Sequence, residues 1–320
     1  MKEILNRHPR IHLFDEVHFF ERLWDDRAHL GDLSAPISQA AAIHRVRDIV
    51  TRFGSDPGVA EVLTVEEYRR RLMAAGRQYR NLLRILLEEG ARQKGAEIWG
   101  DSSPQDILYL KTILSWYPNA RIVALVRDPR GFLSSYKNYY RRGVESYRER
   151  YNPIPISMLW RSYMTALLET EREPWAANVH RLRYESLVSD PEETVRALCA
   201  HVGVDFDPVM LDVDSSNSSF VPEGEPAKKR GIVASSQDRW KTELTPTELW
   251  MGERIFGEMR ERLGYPPAVE DGQRLRPTVG GLARMALLLP GRVFNLLFRS
   301  HKPFTMAKFR RVMGLFRATR

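Results

Sequence analysis

Cysteine is nearly missing from this chain: Cys199 stands alone among 320 residues, so no disulfide can close within it and no cysteine pair can hold a metal. Its place in VRALCAHVG fits helix packing. Long apolar runs are missing as well. No stretch reaches the ~18 apolar residues of a membrane-crossing helix, and Met1 is not followed by the basic and then apolar segments of a secretory leader. A reducing, cytoplasmic setting follows as the expectation. Acidic residues are missing from the end, since none follows Asp271. The last 49 residues hold 11 Lys and Arg, which leaves 38 basic against 41 acidic residues in the rest. The net charge of +8 therefore belongs to the tail, and a near-neutral body argues against nucleic acid as the partner. What is present in quantity is core material. At 43% hydrophobic content the chain can bury one large α/β domain, with or without an appendage.

The most informative stretch is Arg121–Tyr136, RIVALVRDPRGFLSSY. Ile122 to Val126 form an unbroken apolar run, the pattern of a parallel strand covered on both faces. Asp128 can cap and Pro129 can open a helix, whose free N–H groups favour an anion at the strand end. Arg127 supplies a planar donor fork, and Ser135 a hydroxyl on the same side of the first helical turns. The stretch reads as a phosphate clamp; a surface ion pair beside a solvated serine is the plainer reading of the same residues.

Two further segments share its logic. In RYESLVSDPEE, Tyr184 ends a strand from Val179, Asp190 caps and Pro191 opens a helix that Gly203 closes. After a polar loop over Val213–Pro226 come Lys228-Lys229-Arg230-Gly231, then Arg239-Trp240-Lys241, then Thr245-Pro246-Thr247-Glu248 as the cap of a helix ending near Gly264. Arg127–Ser135, Tyr184–Pro191 and Lys229–Trp240, in this order and spacing, resemble the sulfotransferases that use 3'-phosphoadenosine-5'-phosphosulfate (PAPS), in the bacterial, tyrosine- and glycan-directed branch. The resemblance covers roughly residues 1–265.

It implies an α/β fold, P-loop-like, three layers (α/β/α) around a central parallel sheet, over a domain of residues 1–265 with a basic amphipathic tail over 266–320. It also implies transfer of a sulfuryl group from PAPS to a hydroxyl or amine, with no metal required. Arg127, Ser135, Lys229, Arg230 and Gly231 would hold the 3'-phosphate, and Tyr184 the adenine. Glu16 stands where the tyrosine-directed branch has its general base, ahead of Phe19-Phe20, and a solvated loop acid is the alternative.

The chain departs from the pattern twice. Its His8-Pro9 and Glu16 match segments that normally follow an R-S-G-T-T-type loop, which this sequence lacks together with the strand before it. The expectation is either a start codon assigned too far downstream or a lost phosphosulfate cradle. Ser102 stands where related sequences carry a lysine that reaches the transferring group. Both departures leave open a family member that binds nucleotide, or scaffolds, without turning over.

Elsewhere, Ile37–Thr51 has helical spacing that Gly54 to Gly58 interrupts, and Thr64 with Glu67 forms a capping box for a long helix to about Arg92; the resemblance implies that this region is the acceptor lid. Glu97–Gly100 reads as a strand, and Asp101–Pro104 as the turn into a helix. His8, His12 and His18 lack the further ligands of a metal site and read as solvated or capping residues. Lys137–Arg150 is a basic aromatic run suited to an anionic or sugar acceptor, or to solvent. From about Pro277 the tail alternates apolar clusters with Arg and Lys, divided by Pro290 and Pro303. Such segments suit an anionic membrane surface, a partner groove or the domain itself. A glycan or glycolipid acceptor follows from the tail alone.

Overall fold

The computed structural model describes residues 1–53, 57–142, 151–213, 231–232, 238–269 and 275–294. The described residues fall into two compact units. One comprises Met1–Ala120 and Asp207–Val213, the other Arg121–Phe206 and the described residues beyond 230.

In the first unit, helix α1 (Lys2–Asn6) stops before His8-Pro9, as expected, and leads into strand β1 (Ile11–Asp15). The Asn6 side chain fixes that reversal, accepting from the Leu13 N–H at 2.7 Å and donating to its carbonyl at 2.9 Å. Strand β1 pairs in parallel with β2 (Ile98–Ser102), from Ile11 opposite Ile98 to Asp15 opposite Ser102. The crossover between them holds helices α2 (Pro36–Phe53), α3 (Val65–Ala75) and α4 (Tyr79–Gln93), and α5 (Leu110–Trp116) follows β2. Leu72, Leu82, Leu86 and Leu87 are buried with Phe14, Phe20 and Tyr68, so the leucine stripe is the core face.

The single long helix expected from Thr64 is two helices. Gly76 sits between them at φ 98°, a region L side chains rarely adopt, and the Asn81 amide donates to the Ala75 and Gly76 carbonyls that the break frees. Thr64 does accept from the Glu67 N–H, but the Glu67 carboxylate turns to Arg70 and Arg71 instead of closing the box.

In the second unit, β3 (Ile122–Val126) pairs in parallel with β4 (Val179–Arg183), from Ile122 opposite Val179 to Val126 opposite Arg183. Helix α6 (Pro129–Arg142) leaves β3, and α7 (Pro153–Glu169) completes the crossover. After β4 come α8 (Tyr184–Ser189), α9 (Pro191–Val202) with Asp190 as cap and Gly203 left-handed at its end, and α10 (Pro246–Arg262), whose Thr245–Glu248 capping box is complete. The last described helix is α11 (Val279–Phe294).

Three expectations change here. The described residues hold two two-stranded parallel sheets, one per unit, where a single central sheet was expected. The apolar run of β3 is covered unevenly: Ala124 and Val126 are buried, while on the opposite face Val123 is half-buried and Leu125 is 38% exposed. Pro290 does not divide the tail, because α11 runs through it; an internal proline removes one hydrogen bond, and the turns on either side carry the helix past it. Among the described residues no helix is long and apolar enough to cross a membrane.

Candidate functional site

At the end of β3, in the second unit, the chain reverses through Arg127 and Asp128. The Asp128 carboxylate accepts from the Arg130 N–H at 2.8 Å, so it caps α6 as its position predicts, and it also takes the Arg130 guanidinium at 2.8 and 2.6 Å. Arg130 is buried and thereby committed, its guanidinium carbon also lying 4.2 Å from the centre of the Trp240 ring. The Arg127 backbone is pinned by the Trp160 indole of α7, which donates to its carbonyl at 3.3 Å.

The Arg127 side chain lies across the first turn of α6. A Cβ on Gly131 would stand 3.0 Å from the Arg127 Nε, so this glycine makes the room that Arg127 occupies. The guanidinium carbon is 4.5 Å from the centre of the Tyr184 ring, which joins two residues read separately from the sequence. Ser135 is half-buried one turn beyond Gly131 on the same helix face. A cation, a planar ring and a helix N-terminus thus meet at one strand end, a combination that fits a phosphate carried next to a base.

Glu185 ties the ends of β3 and β4 together. It accepts from the Asp128 N–H at 3.0 Å and from the Tyr265 hydroxyl at 2.9 Å. Burial first, and then the Glu185 charge, push the Tyr265 phenol well above its ordinary range, so it stays a donor. Glu185, Arg130, Trp240 and Tyr265 carry weight that the sequence reading did not assign; the Asp128–Arg130 spacing alone was a usable signal. Of the late basic loop, Lys229 and Arg230 lie outside the described residues. Gly231 has φ 88°, which its lack of a side chain allows. The run from Lys137 to Arg150 is described only to 142.

The other candidate, Glu16, belongs to the first unit and follows β1 directly. Glu16 and His18 both hold positive φ, 32° and 53°, unusual for residues with side chains. Two bonds from the region of β2 keep this turn: Asp101 Oδ1 accepts from the Val17 N–H at 3.2 Å and Ser103 Oγ from the His18 N–H at 3.0 Å. Burial raises the Asp101 pKa, and burial together with the Asp101 charge raises that of Asp106 further. Ser102 ends β2 with its N–H donating to Asp101 Oδ1 at 2.8 Å.

The His18 ring lies between two carboxylates, with Nε2 3.2 Å from Glu16 and Nδ1 3.1 Å from Glu21. Burial works against a charge on this ring, but the bonds to Glu16 and Glu21 outweigh it and raise the pKa to about 9. His18 is therefore an imidazolium at neutral pH. His8 accepts from the Arg10 N–H at 3.2 Å, and His12 packs edge-on against Phe14 with centroids 5.4 Å apart.

A sequence model described as Sulfotransferase family matches residues 1–208. Omega-hydroxy-beta-dihydromenaquinone-9 sulfotransferase Stf3 of Mycobacterium bovis is 27% identical over 188 residues, covering 56% of this chain and 44% of that protein. Nodulation protein NoeE of Sinorhizobium fredii is 25% identical over 193 residues, covering 53% of this chain and 45% of that one. The chain thus spans less than half the length of these relatives. Among solved structures, the sulfotransferase domain of the Synechococcus PCC 7002 olefin synthase superposes with a TM-score of 0.52 at 19% identity, over 83% of this chain and 89% of that domain, which is a likeness of fold.

Proposed function

We propose, from the premise that this chain belongs to the sulfotransferase family, that it moves a sulfuryl group from PAPS to a hydroxyl or amine of an acceptor. The observation that carries this reading is the seat of Arg127, Gly131 and Tyr184, where a guanidinium lies over the first turn of α6 and against an aromatic ring. Arg127 and Ser135, with Lys229, Arg230 and Gly231, hold the 3'-phosphate, and Tyr184 lies against the adenine. Glu185 keeps the seat in shape by binding the Asp128 N–H.

PAPS brings the sulfuryl group and a leaving phosphate oxygen. Glu16 accepts the acceptor's proton while the acceptor oxygen bonds to sulfur; the bond from sulfur to the phosphate oxygen breaks and its electron pair leaves with PAP, the desulfonated product. Positioning and charge compensation supply most of the catalysis, as in phosphoryl transfer. Stf3 acts, by its name, on omega-hydroxy-beta-dihydromenaquinone-9. An acceptor hydroxyl on a lipid or glycan at an anionic membrane surface agrees with α11, which carries Val279 and Leu287 at 85% and 80% exposure. In this reading residues 1–265 are the catalytic domain and 266–320 the surface-seeking tail of a cytoplasmic protein.

Transfer of radiolabel from PAPS to glycolipid or glycan hydroxyls, inhibited by PAP, is the test. A second reading, a nucleotide-binding scaffold, is favoured by Ser102 at the place of the family's lysine. Tight PAP binding with no transfer to any hydroxyl would select it.

A further inference from the structure

A glutamate on a half-exposed loop makes a poor base unless something holds it, because its freely rotating side chain spends little time in the productive orientation. Glu16 is in that position, with a side chain 49% exposed. The opposite end of the assembly is fixed: Glu21 is buried, with a side chain 4% exposed, on the helical turn Phe20–Trp24. The rigid imidazole of His18 spans the two, at 3.1 Å and 3.2 Å. The backbone carrying it is held in a positive-φ conformation by Asp101 and Ser103, a strain that stays only where surrounding contacts impose it.

We propose that His18 is a positioning residue, which by bridging the buried Glu21 to Glu16 fixes the Glu16 carboxylate and leaves its second oxygen for the acceptor's proton. The inference rests on Glu16 being the base. The ring is bonded to Glu16 and Glu21; of the nearby carboxyls, Asp101 holds the Val17 N–H and Asp106 senses the Glu21 charge. The bridge is intact wherever the ring is charged and is lost as pH rises through about 9.

The test uses the full chain labelled with 15N-histidine. The His18 imidazole, assigned by its disappearance in His18→Gln, is expected to titrate near 9. Glu21→Gln and Glu16→Gln are each expected to move that titration down toward the ordinary ~6.5 of a histidine. A titration already near ~6.5 in the unsubstituted protein, or one that Glu16→Gln leaves in place, overturns the bridge without any activity measurement. With PAPS and 4-nitrophenol as probe acceptor, His18→Gln is expected to lower kcat about 10- to 100-fold. KM and PAP affinity should stay within about twofold. The alkaline limb of the pH–rate profile, near 9 in the parent, should move down in Glu21→Gln. If Glu16→Gln abolishes turnover but His18→Gln does not slow it, positioning is wrong and the base assignment stands. If His18 titrates as expected but Glu16→Gln turns over normally, the base assignment has failed and the proposal falls with it.

Discussion

Arg127 and Tyr184, fifty-seven positions apart in sequence, meet with the guanidinium 4.5 Å from the ring centre, at the ends of the paired strands β3 and β4. This geometry separates two contributions to nucleotide binding. Removing the guanidinium by Arg127→Ala deletes a charge-assisted contact of ~1.5–3 kcal/mol, so PAP affinity measured by calorimetry should fall roughly 10- to 100-fold. Tyr184→Phe keeps the ring under the guanidinium and should stay within about twofold. Unchanged PAP affinity in Arg127→Ala would remove the seat from the binding reading altogether.

Gly90 offers a test of the first unit in which two effects oppose each other. It lies inside α4 against β1, and a Cβ there would overlap the ring of Phe14, which is fully buried. Glycine to alanine ordinarily favours a helix interior by up to ~1 kcal/mol. Overpacking a rigid core costs ~1–3 kcal/mol and should win, because Phe14 has no solvent side to move into. Gly90→Ala should lower the unfolding temperature by about 2–4 °C, and a rise would show that α4 and β1 are packed less tightly.

The residues legible in the sequence are those whose roles are set by near neighbours. Asp128, Pro129, Asp190, Pro191 and the Thr245–Glu248 box announce helix starts through side-chain bonds spanning two or three residues. Arg127 and Tyr184 were legible because each directly follows a recognisable strand. The His18 bridge was not, since its turn is held by Asp101 and Ser103, 84 and 85 positions away from their partners. Glu185 was missed for the same reason, its partners Asp128 and Tyr265 being 57 and 80 positions distant. The break at Gly76 was missed because leucine spacing continues across it, and periodicity reports a face without reporting a turn.

Helix α11 is anchored at its start and open further along. Thr278 donates to the Thr247 hydroxyl at 2.9 Å, Gly281 packs so closely on Thr247 that a Cβ would overlap it, and Met285 is buried, while Leu287 is 80% exposed. Deleting residues 277–320 should abolish sedimentation with vesicles containing phosphatidylserine, and salt should weaken binding of the intact chain. Leu287→Asp should weaken vesicle binding without changing PAP affinity. A truncated chain that no longer unfolds cooperatively would assign the tail to the core instead.

Glu16→Gln is the substitution that separates chemistry from binding. Glutamine keeps the size of the side chain and can still hydrogen-bond, but it cannot take a proton from the acceptor. Loss of a general base typically costs ~10²–10⁴-fold in kcat, whereas a solvated loop acid changed to its amide should stay within about threefold. The residues proposed to hold the nucleotide are Arg127, Ser135, Tyr184 and the Lys229–Gly231 loop, so PAP affinity should be nearly unchanged and the loss should appear in kcat. Turnover in Glu16→Gln within about threefold of the parent would return Glu16 to a structural role and leave the proton to another group.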